Sequence, residues 1–266
     1  MKPLISPKAQ IGANVQIGFG ANIRASAIVG DNCVIGDHCI IGHAAGGEWA
    51  GKPARIGAGS TIRSHTIIYE GTELGSDSQT GHHVLIREGT RAGVNLRVGS
   101  FSDIEGDCTI GDCGRFHGYA HVGRGSKIGH FCHLYSLSIL LNDPLPPSEI
   151  LEPVVMEDGA VVCVGATVMP GTILRRGSFV SARSIAQGEV PAGAVVGGPN
   201  GQILTHVTFL VNFQHGIRHP WMANFANRYP ASVQDRLRTL QAAILAERDV
   251  FMKTYMTKGA AGHAAS

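Results

Sequence analysis

Aromatic residues are scarce in this chain (6%), charged ones are few (16%), and 266 residues carry a formal net charge of only +2. A balance that close to zero leaves no broad basic face, which argues against nucleic acid as a partner. Long apolar runs are missing, and "MKPLISPKAQIG" passes straight into patterned sequence. Neither a membrane span nor a signal peptide is therefore expected. The six cysteines include no CxxC pair. Cys33, Cys39, Cys108 and Cys132 fall where the pattern described next reserves room for small buried side chains. They read as reduced thiols of a cytoplasmic protein, with no disulfide framework and no zinc site.

What the chain has instead is glycine, 36 residues of it, and a beat of six. Ile5, Ile11, Ile17, Ile23, Val29, Ile35 and Ile41 fall at one spacing, with Ala9, Val15, Ala21, Ala27, Cys33 and Cys39 two places before six of them. The beat resumes at Ile56 and runs through Ile104, Ile110, Phe116, Val122, Ile128 and Leu134 to Leu140, with Thr80 and Ala92 its weak members. A third block carries it on Met156, Val162, Val168, Leu174, Val180 and Ala186. A helix repeats every 3.6 residues and a strand every 2, so neither sustains such a pattern. A solenoid does: each hexad is a short strand and a corner, and three hexads close one coil. The reading is an all-β fold, a left-handed parallel β-helix of hexapeptide repeats over residues 1–200. Loops at 43–55 and 141–153 interrupt it, and a C-terminal cap follows at 201–266. In the cap, Val233, Leu237, Leu240, Ile244, Phe251 and Tyr255 share one face of an amphipathic helix, and "GAAGHAAS" reads as a disordered tail.

With the period fixed, outward residues can be stacked by adding one coil of 18 residues. Asp103 comes to lie beside His121, Asp112 beside His130, and Arg87 beside Glu105. His65, His83, Phe101 and Tyr119 form a column. A neighbouring carboxylate orients an imidazole, selects its tautomer and raises its pKa, which suits a general base. The loop "HAAGGEWAGKPAR" offers Trp49, Lys52 and Arg55 either to a nucleotide or to a neighbouring subunit.

The hexads, together with "TGHHVLIREGT", "NDPLPPS" and the closing "GAVVGGPN", resemble the hexapeptide-repeat acyltransferase superfamily. Within it they are similar to the bacterial N-acyltransferases of nucleotide-linked amino sugars, the dTDP-3-amino-3,6-dideoxyhexose type among them. The resemblance implies a homotrimer with clefts between neighbouring solenoids. It implies acetyl-CoA or another short acyl-CoA such as 3-hydroxybutyryl-CoA as co-substrate, and a dTDP- or UDP-linked amino sugar as acceptor. The chemistry it implies is attack of an amine on a thioester, with no metal. His121 over Asp103 is the leading base, followed by His117 and His133. Asn142 and Asp143 are candidates to hold the sugar amine, and His82, His83, Arg87 and Glu88 to line the acceptor cleft, although Arg87 has Glu105 as an alternative partner. Gly165, Ala166, Ala182 and Arg183 match the coils that hold pantetheine, with Arg175 and Arg176 as phosphate partners. "GGPNG" departs from the family's G-x-P-A-K/R ending and lacks its terminal basic residue. In the cap, His215, His219, Trp221 and Phe225 either only pack or form a pocket for an acyl group larger than acetyl. Sugar O-acetylation is the alternative within the superfamily. Outside it stand a non-catalytic scaffold and a metalloenzyme like the gamma-class carbonic anhydrases. The latter would use His83, His117 and His121, but His117 and His121 are spaced one residue too close for that zinc site.

Overall fold

The computed structural model describes residues 2–46 and 51–256; Trp49 and the closing "GAAGHAAS" lie outside them. Three sheets form the sides of a prism: sheet A and sheet B of ten parallel strands each, and sheet C of eleven, ten of them parallel. Each strand pairs with the one a coil later, so Ile86, Ile104 and Val122 are successive neighbours in sheet A. Ile62, Ile68, Ile86, Ile104, Val122 and Leu134 are fully buried along the prism axis. The places two before residues of the beat hold Cys33, Cys39, Cys108 and Cys132, also fully buried, or buried serines such as Ser60, Ser78 and Ser126. Ser60, Ser78 and Ser126 donate to the carbonyls of Gly57, Gly75 and Gly123 at 2.6–2.7 Å, which offsets the cost of burying a polar atom.

The corner from sheet C to sheet A needs a left-handed residue, and His38, His65, His83, Phe101, Tyr119 and Leu137 all supply it, with φ of 55–63°. Their rings stack where the period places them: His65 on His83 at 4.5 Å, His83 on Phe101 at 5.0 Å, and Phe101 on Tyr119 at 5.1 Å. These separations track the strand spacing of about 4.8 Å. The loops leave between the strands Ile40–His43 and Ala54–Ile56, and between Ile139–Leu140 and Val155–Met156.

Past Gly197 the chain reverses, and Gln202–His206 runs antiparallel to Ala194–Gly197. The helix Gln234–Phe251 then sends Phe251 into the solenoid core. Its Leu237, Leu240 and Ile244 pack on the outside of sheet C with Phe131, Val161, Trp221 and Tyr229. The approach is close: a Cβ on Gly177 would stand 2.4 Å from Ile244 Cδ1. Tyr255, expected on the same face, is 43% exposed, because a π-helical turn over Met252–Met256 breaks the 3.6-residue phase. Among the described residues no helix is long and apolar enough to cross a membrane.

Candidate active site

The candidate residues divide between two faces of the prism. On sheet A, Asp103 and His121 occupy paired positions on adjacent strands, with Oδ2 and Nδ1 3.4 Å apart. The hydrogen bond with Asp103 raises the His121 pKa above the ordinary histidine value, and partial burial opposes it. Asp103 Oδ1 is buried with no hydrogen-bond partner among the described residues. Two residues beyond His121, Gly123 makes room for the NDPLPPS loop: a Cβ there would lie 3.2 Å from Asn142 Cγ. Asn142 Nδ2 in turn donates to Glu105 Oε2 at 3.2 Å, and the Arg124 backbone N–H donates to the same oxygen at 2.9 Å. Asp103 and His121 therefore stand on adjacent strands, as the stacking predicts, and Asn142 reaches Glu105 from the loop that passes Gly123.

Around them the pairing departs from expectation. Arg87 does not neutralise Glu105; it forms a two-pronged pair with Glu88 at 3.1–3.2 Å, and Glu88 also takes Arg124 at 3.0 Å. Glu105 already has its donors, and Glu88 is the nearer carboxylate in sequence. Asp143 accepts from the backbone N–H groups of Leu145 and Ser148 at 3.0 Å and from the Ser148 hydroxyl at 2.6 Å. Its carboxylate is the knot of the loop, and these bonds, the Ser148 hydroxyl foremost, lower its pKa.

Sheet C carries the second group. His133 is 5% exposed, and its Nε2 lies 2.8 Å from the Tyr229 hydroxyl. Burial pushes its pKa down to about 3, so the ring is neutral. Its side chain does face outward, but the C-terminal segment covers it. That segment closes a cavity of about 570 Å³ over sheet C, lined by Val161, Phe179, His219, Trp221 and Phe225 with His133. His215 is not among the lining residues; it sits in an exposed turn, its backbone N–H on Asn212. An open groove of about 500 Å³ continues toward the N-terminal coils past Arg97, Arg63 and His82. Arg115 and His117 line both spaces. His117 stacks on Tyr135 at 4.5 Å, and partial burial lowers its pKa. His82 meets Ser64 Oγ at 2.7 Å.

His83, His117 and His121 are not gathered: the first is clasped between His65 and Phe101, the second rests on Tyr135, and the third pairs with Asp103. Gly165 and Arg183 occupy the left-handed position of the same C-to-A corner, φ 65° and 55°, beside buried Ala166 and the exposed Ala182. Arg175 and Arg176 lie on a different corner. Arg175 binds Glu157 and Glu189 at 2.8 Å, and Arg176 lies 3.7 Å from Glu247, so neither is a free phosphate ligand beside those coils. The residues that sequence reasoning missed are Arg63, Arg97, Arg115 and Tyr135. All lie on the outward columns of sheet C or its corner, and each can be found by counting 18 back or forward from His117 or His133.

Residues 8–43 match the family model for the bacterial transferase hexapeptide (six repeats). No curated protein sequence matches the chain significantly. Among solved structures, the UDP-N-acetylglucosamine acyltransferase of Arabidopsis superposes with a TM-score of 0.64 at 17% identity, covering 95% of this chain and 96% of that one. The enzyme of the same name from Francisella novicida gives a TM-score of 0.41 at 14% identity, covering 94% and 79%. This chain is a hexapeptide-repeat protein, folded as the parallel β-solenoid that the Arabidopsis enzyme also adopts.

Proposed function

We propose that the protein is an acyl-CoA-dependent N-acyltransferase that transfers a short acyl group to the amine of a dTDP- or UDP-linked amino deoxysugar. In this reading it works as a cytoplasmic homotrimer. The observation that carries the proposal is the Asp103–His121 pair, with Nδ1 held by the carboxylate at 3.4 Å and Nε2 left for a substrate proton. The neutral amine attacks the thioester carbonyl carbon and the C–S bond breaks. His121 Nε2 takes the proton lost by nitrogen and returns it to the departing sulfur, so that the products are an amide and free coenzyme A. Asn142, whose Nδ2 donates to Glu105, has its side-chain carbonyl oxygen to accept a hydrogen bond from the amine. Likeness to the Arabidopsis fold agrees with this reading but does not choose the acceptor.

The test is a mass-spectrometric screen of dTDP- and UDP-amino sugars against acetyl-CoA and 3-hydroxybutyryl-CoA. Mass gain on an amino sugar, with none on the matching hydroxyl sugar, is the expected result. Gain on the hydroxyl sugar alone would make the protein an O-acyltransferase, and no coenzyme A binding by calorimetry would make it a scaffold.

A further inference from the structure

No aspartate or glutamate lies between Glu189 and Asp235, and in this stretch apolar surface breaks out of the fold. Past the last coil the chain forms a short hairpin, Val211–Asn212 against Ile217–Arg218, with residues 213–216 as its turn. Phe213, on that turn, is 87% exposed, more than any other large apolar side chain among the described residues. Leu204, Phe209, Ile217 and Phe225 in the same stretch are 42–53% exposed. The hairpin has a fixed root: the His219 N–H donates to the Leu210 carbonyl at 3.1 Å, and the His219 ring meets Phe179 edge-on at 5.4 Å. Pro220 and Trp221 beyond it are buried. The charged side chains of the stretch are Arg218 and Arg228, both exposed. A protruding ring accompanied only by cations calls for a partner that is anionic and apolar at once. A second copy meeting it through the same surface would set arginine against arginine. A protein partner needs a pocket shaped to the ring. The boundary of a bilayer takes aromatic side chains without one and holds arginines on its phosphates.

We propose that this hairpin is a peripheral contact with an anionic phospholipid surface: Phe213 enters the boundary between headgroups and acyl chains, and Arg218 and Arg228 pair with lipid phosphates. The insertion is shallow, because the backbone of the turn keeps its water. Neither Phe213 nor the two arginines line the cavity or the groove of sheet C, so the proposal does not rest on the acyltransfer reading.

Co-sedimentation of the intact protein with vesicles tests this, using phosphatidylcholine alone and an equimolar mixture with phosphatidylglycerol. Binding to the mixed vesicles, falling as salt is raised, is the expected result. Phe213→Ser should weaken it ~10–100-fold, the transfer of one phenyl ring, and Arg218→Gln or Arg228→Gln ~5-fold each. Lys127→Gln, which removes an exposed cation from sheet B, should change nothing. No binding to mixed vesicles overturns the proposal, as does equal binding to both vesicle types. So does a Phe213→Ser variant that binds as wild type does, or a loss at Lys127→Gln that matches those at the arginines. Sedimentation equilibrium adds the remaining arm: if Phe213→Ser lowers the mass of the oligomer, the ring belongs between copies of this chain and the membrane contact is refuted.

Discussion

Two aspartate–histidine pairs sit half a coil apart in this solenoid, each spanning 18 residues with the same 3.4 Å separation, yet they are different devices. In Asp112–His130 the backbone N–H of Asp112 donates to His130 Nδ1 at 2.9 Å, so that nitrogen carries the lone pair and the proton must sit on Nε2. The Asp112 carboxylate is then taken up by the Val94 N–H at 3.0 Å and by Arg236 of the C-terminal helix at 2.7 Å. In Asp103–His121 the imidazole meets the carboxylate, and among the described residues Asp103 Oδ1 has no hydrogen-bond partner. Here Nδ1 holds the proton and Nε2 the lone pair. A pair distance alone does not make a base; what decides is which nitrogen the surroundings have already occupied.

The sharpest way to break this contrast is to remove each ring in turn. His121→Asn should lower kcat by ~10²–10⁴-fold, the usual range for a general base, while His130→Asn leaves it within about threefold. Steady-state kinetics with the acylated sugar identified by the screen decides the matter, and equal losses at the two sites would erase the distinction.

A third histidine extends the comparison into the covered face. His133 is neutral and hydrogen-bonded to Tyr229, with a folded pKa of about 3 against an ordinary value near 6.5. Between those values the unfolded chain binds the extra proton, so its contribution to stability is intact above pH ~6.5 and is lost progressively as pH falls toward 3. The loss at pH 5 relative to pH 7 is about 2 kcal/mol. Thermal melts of wild type and His133→Gln across that window should converge as pH drops; parallel curves would show that the ring does not titrate under the cap.

The solenoid and the Asp103–His121 pair were legible because a period of six fixes direction and a coil of 18 fixes neighbours, so residue arithmetic alone puts Asp103 on His121 and His83 on Phe101. That arithmetic stops where the period stops. Tyr229 reaches His133 across 96 positions and Arg236 reaches Asp112 across 124, and nothing in the intervening sequence sets a register. Outwardness was therefore readable and coverage was not. His133 points away from the axis, as counted, but it is roofed over. The same gap hid the choice among partners within reach: Arg87 had two carboxylates available and took Glu88.

A subtler effect concerns how Asp103 acts. If the carboxylate stabilises the imidazolium, Asp103→Asn should move the ascending limb of the kcat/KM–pH profile to lower pH, because its hydrogen bond is the leading cause of the raised His121 pKa. The rate on the plateau should fall as well, since the freed ring can adopt the wrong tautomer. Asp112→Asn should leave the profile where it was. A limb that stays in place in Asp103→Asn would assign the titration to another group, with neutral-amine formation on the sugar the first alternative.

The smallest expected effect probes the quiet pair. Arg236 is 44% exposed and Asp112 22%, so their contact at 2.7 Å is a partly screened ion pair. Such pairs contribute ~0.2–1 kcal/mol, and Arg236 also stacks over Phe131 at 5.1 Å from the ring centroid. Arg236→Ala should cost about 1 kcal/mol in chemical denaturation, less at high salt, with kcat unchanged. Its value lies in the null kinetics: removing the guanidinium frees Asp112 Oδ2, the oxygen beside His130, while Oδ1 keeps the Val94 N–H. Yet the Asp112 backbone N–H still occupies His130 Nδ1. If activity remains indifferent, backbone occupancy of the ring nitrogen, and not the spare charge, is what keeps His130 silent.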